Sequence, residues 1–299
     1  MTNSRLNIVF IGCVSFSELM LDTLSSISGI NTCGIVTRSS SVFNSDFVDL
    51  GTHNCAAQSS VFYYEKSKDE LFFQWLKNIA PDYIFCFGWS TLLPRRILDI
   101  PKYGVVGYHP SLLPRNRGRH PIIWALALGL TQTGSTFFFM DHEADSGPIL
   151  SQSKVEISLT DNAGSLYTKI CVSAVSQLKE LCLQLIQNTH KAKPQDPRLA
   201  TSWRKRTYED GKIDWRMSSL SIYNLIRALS HPYPGADGCL AGQDFKIWDA
   251  EIGEPGLPDV EPGVILSLSE RIHVQCGDNS TIYLKKFDLQ SGILLNQSL

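Results

Sequence analysis

Short, unbroken apolar runs alternate along this chain with stretches in which apolar residues recur every three or four positions. Leu6 to Gly12 (LNIVFIG) has the run of a buried strand, Phe16 to Ile27 the spacing of an amphipathic helix, and Asn31 to Thr37 (NTCGIVT) a second strand, a βαβ opening. Residues 38 to 65 show no clear period; Lys68 to Ile79 then predicts a helix, and Asp82 to Phe87 (DYIFCF) and Val105 to His109 predict further buried strands. Strands without polar alternation, separated by helices, imply a mostly parallel sheet covered on both faces, a Rossmann-like α/β domain. Gly134 to Met140 and Ile149 to Ile157 read as a strand pair. Leu166, Ile170, Ala174, Leu178, Leu181 and Leu185 mark one long helix, with Thr160, Asp161 and Asn162 as candidate caps.

The pattern changes at Lys191 to Arg206 (KAKPQDPRLATSWRKR), which is polar and Pro-containing. Beyond it come one helix face (Ile222, Leu225, Ile226, Leu229), the turn-rich HPYPGADG, and short runs at 244 to 249, 263 to 268, 271 to 275 and 280 to 287, the layout of a small OB-like β-barrel. The expected organisation is a catalytic domain over 1–190, a linker over 191–206 and a C-terminal barrel over 207–299. At 299 residues and 43% hydrophobic the chain can support two such cores. It has no signal-peptide layout and no run approaching the roughly 18 apolar residues of a membrane span, so a cytoplasmic location is expected.

Charge and cysteine content narrow the chemistry. The net charge of −2 invites neither nucleic acid nor an anionic membrane. The eight cysteines are scattered singly, without the paired spacing of a zinc site, and read as small buried hydrophobes; no metal is expected. The first strand-to-helix turn, Ile11 to Glu18 (IGCVSFSE), lacks the GxGxxG fingerprint, and no GxxxxGK[ST] loop occurs, which disfavours NAD and ATP. The backbone amides of Cys13 to Ser15 are left either as a polar contact for substrate or as a plain turn.

His109 stands at the carboxyl end of an expected parallel strand, where open α/β sheets place their sites. Arg115, Arg117 and Arg119 follow at alternate positions, either as a solvated loop or as donors to phosphate or carboxylate. A second polar knot, Met140 to Gly147 (MDHEADSG), reads by default as an acidic surface turn.

The stretches HPSLLPRNRGRHPIIWALALG and TGSTFFFMDHEADSGPIL together resemble the signature of the folate-dependent formyltransferases, with His109 as the motif histidine and Asp145 as the motif aspartate. FGWSTLLPRRILDIPKYG resembles the family's folate-side loop. DGKIDWRMSSLSIYNLIRALSHPYPGA resembles the start of the C-terminal domain of methionyl-tRNA and lipid A arabinose-amine formyltransferases. The resemblance implies formyl transfer from 10-formyltetrahydrofolate to a primary amine. His109 would accept the amine's proton or donate to the oxyanion, and Asp145 would hold the imidazole or a water. It assigns the pterin to Phe87, Gly88, Trp89 and Leu92 and to the turn Asp141, His142, Glu143 and Ala144, and makes Cys13, Ser15, Ser111, Arg115, Arg117 and Arg119 candidate acceptor contacts.

One position departs from the motif. The family carries an asparagine two residues before the histidine, where this chain has Gly107. Losing one oxyanion donor typically costs roughly 2.7 to 4 kcal/mol. Side chains 107 and 109 share a strand face, so the glycine is expected to leave a hole beside the histidine, to be filled by water or by Asn116, Ser90 or His120. The acceptor follows from charge: residues 196 to 299 hold eleven Lys and Arg against fourteen Asp and Glu, a net of −3 and the wrong sign for gripping tRNA. Of the acceptors that the resemblance implies, the expected one is therefore a nucleotide-linked amino-deoxysugar for surface polysaccharide. A methionyl-tRNA enzyme and an inactive folate-binding homologue are the alternatives, and a homodimer stays open.

Overall fold

The computed structural model describes residues 5–41, 45–240 and 242–288, and its first element, β1 (Leu6–Ile11), is the apolar run at the start of the chain. Helix α1 (Ser15–Ser25) and β2 (Ile30–Thr37) complete the βαβ opening. The aperiodic stretch that follows holds short 3-10 turns and a four-residue edge strand, β3 (Ser60–Tyr63), too short to show a period. Helix α2 (Asp69–Ile79) begins with Asp69 and Glu70 and carries Lys77 in its last turn, each sign matched to the local end of the helix dipole. Strand β4 (Tyr83–Cys86), the single helical turn α3 (Arg95–Leu98) and β5 (Gly104–His109) follow.

One unit of the chain draws on the residues up to Gly118, Gly134–Val155 and Lys169–Ser202, the other on Arg119–Thr133, Glu156–Thr168 and the residues from Trp203 on. The main sheet runs β3-β2-β1-β4-β5-β7-β8, with β7 at Gln132–Phe139 and β8 at Ile149–Glu156. Strands β3 to β5 pair in parallel and β7 runs antiparallel to β5. The chain leaves the sheet in opposite directions after β1 and β4, which makes their carboxyl ends a topological switch point. Aromatic rings fill the sheet around that point. Phe10, Phe85, Phe87 and Phe137 are fully buried, and Phe87 meets Phe10 and Phe137 edge to face. Ser17 Oγ donates to the Phe87 carbonyl at 2.7 Å and accepts from the Val14 amide, tying α1 to the loop after β4.

Between β5 and β7 lie the two-residue strand β6 (Arg117–Gly118) and helix α4 (Pro121–Ala127). The long helix α5 (Ala163–Ile186) is capped by Asn162, whose Oδ1 accepts from the Ser165 amide while Ser165 Oγ accepts from the Asn162 amide. The polar stretch after it forms a 3-10 turn at Pro197–Leu199 and a two-residue strand, β9 (Ser202–Trp203), which pairs with β6.

In the second unit, helix α6 (Ser219–Ala228) is accompanied by β10 (Ala236–Leu240), β11 (Gln243–Pro255), β12 (Ile265–Leu268), β13 (Ile272–Gln275) and β14 (Ser280–Phe287). They form an antiparallel sheet in the order β10-β11-β14-β13-β12, the wall of a small barrel. Strand β10 is hidden in the sequence by the glycines and prolines around it. Arg227 is buried here, and its guanidinium donates to Asn224 Oδ1 and to the carbonyls of Ser158 and Asp161, so a buried cation is met by three acceptors. Among the described residues, no helix is long and apolar enough to cross a membrane.

Candidate active site

Strand β5 delivers His109 to the carboxyl edge of the sheet with only 5% of its surface exposed. Its Nε2 lies 2.8 Å from the carbonyl oxygen of Asn116. A carbonyl only accepts, so Nε2 carries a proton, and in the neutral form of the ring the lone pair lies at Nδ1. Nδ1 faces Asp145 Oδ2 at 3.7 Å, beyond hydrogen-bond length. The ring is therefore fixed by the Asn116 backbone, with a basic nitrogen directed to a carboxylate that does not yet bond to it.

Both partners are held in place by unusual backbone. Asn116 (φ +62°) and Asp145 (φ +57°) occupy the left-handed region, which side chains other than glycine enter at some cost and which clusters at functional sites. The Asn116 amide donates to Thr201 Oγ1 at 2.9 Å, and that hydroxyl donates in turn to Asn116 Oδ1. The Asp145 carboxylate accepts from the Gly118 amide at 2.9 Å. Its carbonyl and that of Gly147 both accept from Gln195 Nε2, at 2.9 and 2.7 Å. Gly147 is required at its position because a Cβ there would lie 1.8 Å from the Phe139 carbonyl oxygen. Gln195 and Thr201 come from the stretch read in the sequence as linker, where polar residues gave no sign of a partner.

The expected hole at Gly107 does not exist. A Cβ on Gly107 would meet Met140 Cε at 2.8 Å, Met140 Cγ at 2.9 Å and Phe138 Cζ at 3.0 Å, so the methionine side chain fills the place of the family's asparagine. The register of β5 on β7 pairs Gly107 with Phe138 and brings Met140 alongside. A thioether donates no hydrogen bond. Of the three residues considered as replacements, Asn116 offers His109 its carbonyl while its side-chain oxygen is engaged by Thr201. Ser90 is exposed on the loop after β4. His120 belongs to the other unit, where it precedes α4 at φ +55°. Burial, then the cations of Arg119, Arg206 and Lys205, hold its imidazole below the usual range.

The remaining predicted contacts divide into buried and open. Phe87 is in the core, Gly88 and Trp89 are half-buried, and Leu92 is 75% exposed. The Trp89 indole Nε1 is buried without a partner among the described residues, and the Arg38 guanidinium lies 4.8 Å over its ring. Arg38 also donates to Thr91 Oγ1 and stands over Tyr64, whose hydroxyl donates to Asp69 and is pushed up by burial to about 12. Arg38 and Tyr64 sit in the aperiodic segment, where the sequence offered no motif. Asp141, His142, Glu143 and Ala144 form an exposed turn in which Asp141 Oδ1 accepts from the Glu143 amide and the Ser146 hydroxyl. Cys13 is buried and Ser15 exposed. The Val14 amide donates to Ser17 Oγ and the Ser15 amide to the Asp46 carbonyl, so these two amides are already taken. Ser111 is buried with its hydroxyl on the Arg115 carbonyl, while Arg115 and, in the other unit, Arg119 are exposed. Among the described residues no group of three or more His, Cys, Asp or Glu is placed to hold a metal ion.

The fold is thus a doubly wound α/β sheet with a buried histidine and an aspartate at its carboxyl edge, in a chain that continues into an antiparallel barrel sheet. Residues 6–180 match the formyl transferase family and residues 205–298 match the formyl transferase C-terminal domain; the chain belongs to the formyl transferase family. Among solved structures it is similar to HypX from Aquifex aeolicus in complex with tetrahydrofolic acid (17% identity, TM-score 0.68), covering 98% of this chain and 47% of that one. It is also similar to WlaRD, a sugar 3N-formyl transferase crystallised with dTDP and 5-N-formyl-THF (16%, TM-score 0.70, 94% and 97% covered). A third is an N-formyltransferase from Helicobacter canadensis in complex with folinic acid and dTDP-3-aminofucose (16%, TM-score 0.69, 94% and 99% covered). At these identities the likeness establishes the fold. The chain spans about half the length of the HypX structures.

Proposed function

We propose that this protein transfers a formyl group from 10-formyltetrahydrofolate to the primary amine of a nucleotide-linked amino-deoxysugar, for surface polysaccharide. The observation that carries the reading is the buried His109, its Nε2 proton spent on the Asn116 carbonyl and its Nδ1 open toward Asp145, in a chain of the formyl transferase family. The folate derivative would bring the formyl carbon. The half-buried Trp89, whose indole nitrogen has no partner among the described residues, the exposed Leu92 and the exposed turn 141–144 offer polar and apolar groups of the kind that suit a flat heterocycle. His109 Nδ1 would take the proton that the attacking amine loses, with the Asp145 carboxylate facing the cation so formed, and return it to the donor nitrogen as the bond from that nitrogen to the formyl carbon breaks. Met140 supplies no donor for charge on the formyl oxygen, and protonated His109 is the donor available in its stead.

An amino sugar fits better than tRNA because the C-terminal residues carry net negative charge. The two sugar N-formyltransferases above share the fold over nearly their whole length. The test is mass spectrometry of a panel of nucleotide-linked amino sugars, with methionyl-charged tRNA beside them, each incubated with the protein and 10-formyltetrahydrofolate. Gain of a formyl mass on one sugar is expected; gain on the tRNA alone, or on nothing, would overturn the assignment.

A further inference from the structure

Arg117 stands out among the cations of its unit. It is half-buried, and its Nη2 donates to Gln195 Oε1 at 2.7 Å. Its Nε is buried without an acceptor, and among the described residues it has no carboxylate partner. A guanidinium drawn out of water and met only by a neutral amide is left with unsatisfied donors in a fork that matches an oxyanion. The amide it meets is the one whose other end holds the backbone of Asp145 and Gly147, and the next residue in the chain, Gly118, donates to the Asp145 carboxylate. Arg117, Gln195 and Asp145 thus form one hydrogen-bonded line that ends 3.7 Å from His109.

We propose that Arg117 binds an oxyanion of a bound substrate and that Gln195 is a positioning residue that transmits its placement to Asp145. This rests on the formyl-transfer reading and goes beyond it: the anion fixes the carboxylate opposite the proton-accepting nitrogen, so part of its binding energy appears in kcat. Two sources share the required chemistry, the acceptor's phosphate and the donor's glutamate carboxylate.

The test has a binding arm and a kinetic arm. In calorimetry with inorganic pyrophosphate and, separately, pteroylglutamate, Arg117→Gln is expected to weaken one of the two by about tenfold or more, given the strength of charge-assisted contacts. Which probe loses affinity identifies the source. Binding of both as in wild type would overturn the proposal. With the whole enzyme, Gln195→Leu should leave that binding in place but lower kcat by up to about 100-fold at little changed KM, the scale of loss when reacting groups are misplaced. Gln195→Glu, which keeps an acceptor for Arg117 but has no donor for the two carbonyls, should not restore kcat. Wild-type kcat in Gln195→Leu would overturn the positioning role.

A third readout needs no turnover. The imidazole nitrogen NMR resonances of His109 should move when the effective probe binds wild type and stay in place when it binds Gln195→Leu. Equal movement in both would contradict the coupling. If no acceptor in the panel is formylated, the functional reading fails, while calorimetry and these resonances still decide the roles of Arg117 and Gln195.

Discussion

Met140 occupies the volume that an asparagine side chain at position 107 would need, and the consequence is testable. In Gly107→Asn the new Cβ alone would fall within 3.0 Å of Met140 and Phe138. Overpacking of this kind costs roughly 1–3 kcal/mol. The single substitution should lower the unfolding free energy measured in urea by that amount, and Gly107→Asn with Met140→Ala should recover most of it. If the single variant is as stable as wild type, the methionine does not fill the site. His109 and Asp145 were legible in the sequence because both lie in contiguous motifs with fixed spacing. What replaces the asparagine was not, because Met140 is brought to Gly107 only by the antiparallel register of β5 on β7. Nor was the histidine's tautomer, which is set by a backbone carbonyl and not by any side chain.

At the scale of elements, the short pairing of β6 with β9 holds both sides of the site. Arg117 donates its amide to the Thr201 carbonyl, and Thr201 Oγ1 fixes Asn116, whose carbonyl orients His109. Thr201→Val keeps the shape and removes the hydroxyl. It should cost about 1 kcal/mol of stability, the worth of a typical hydrogen bond, while lowering kcat by roughly tenfold or more through a loosened imidazole. An unchanged kcat would place the orienting force elsewhere. The long elements were readable, β1 from its unbroken apolar run and α1, α2 and α5 from apolar positions that repeat over at least one full period. Strands of two to five residues, such as β3, β6, β9 and β10, carry no repeat, and β10 is masked further by the glycine and proline around it. The segment that supplies Gln195 and Thr201 looks like a tether because its role is hydrogen bonding to backbone, which leaves no hydrophobic trace.

Over the whole molecule, the parallel sheet and the barrel sheet were both visible in the order of apolar runs. The division into compact units was less so: Arg119–Thr133 and Glu156–Thr168 group with the residues after Trp203, a relation between distant segments that no local pattern encodes. The net charge of −2 and the acidic balance of the C-terminal residues bear on the acceptor, not on the chemistry. The proposed chemistry rests on His109. The most direct test is the rate of formyl transfer by the full chain to the acceptor that the panel identifies, wild type against His109→Asn, with thermal unfolding of both. The account predicts a loss of about 100- to 10,000-fold, the usual contribution of a general base, with the unfolding midpoint little changed. A rate close to wild type would contradict it.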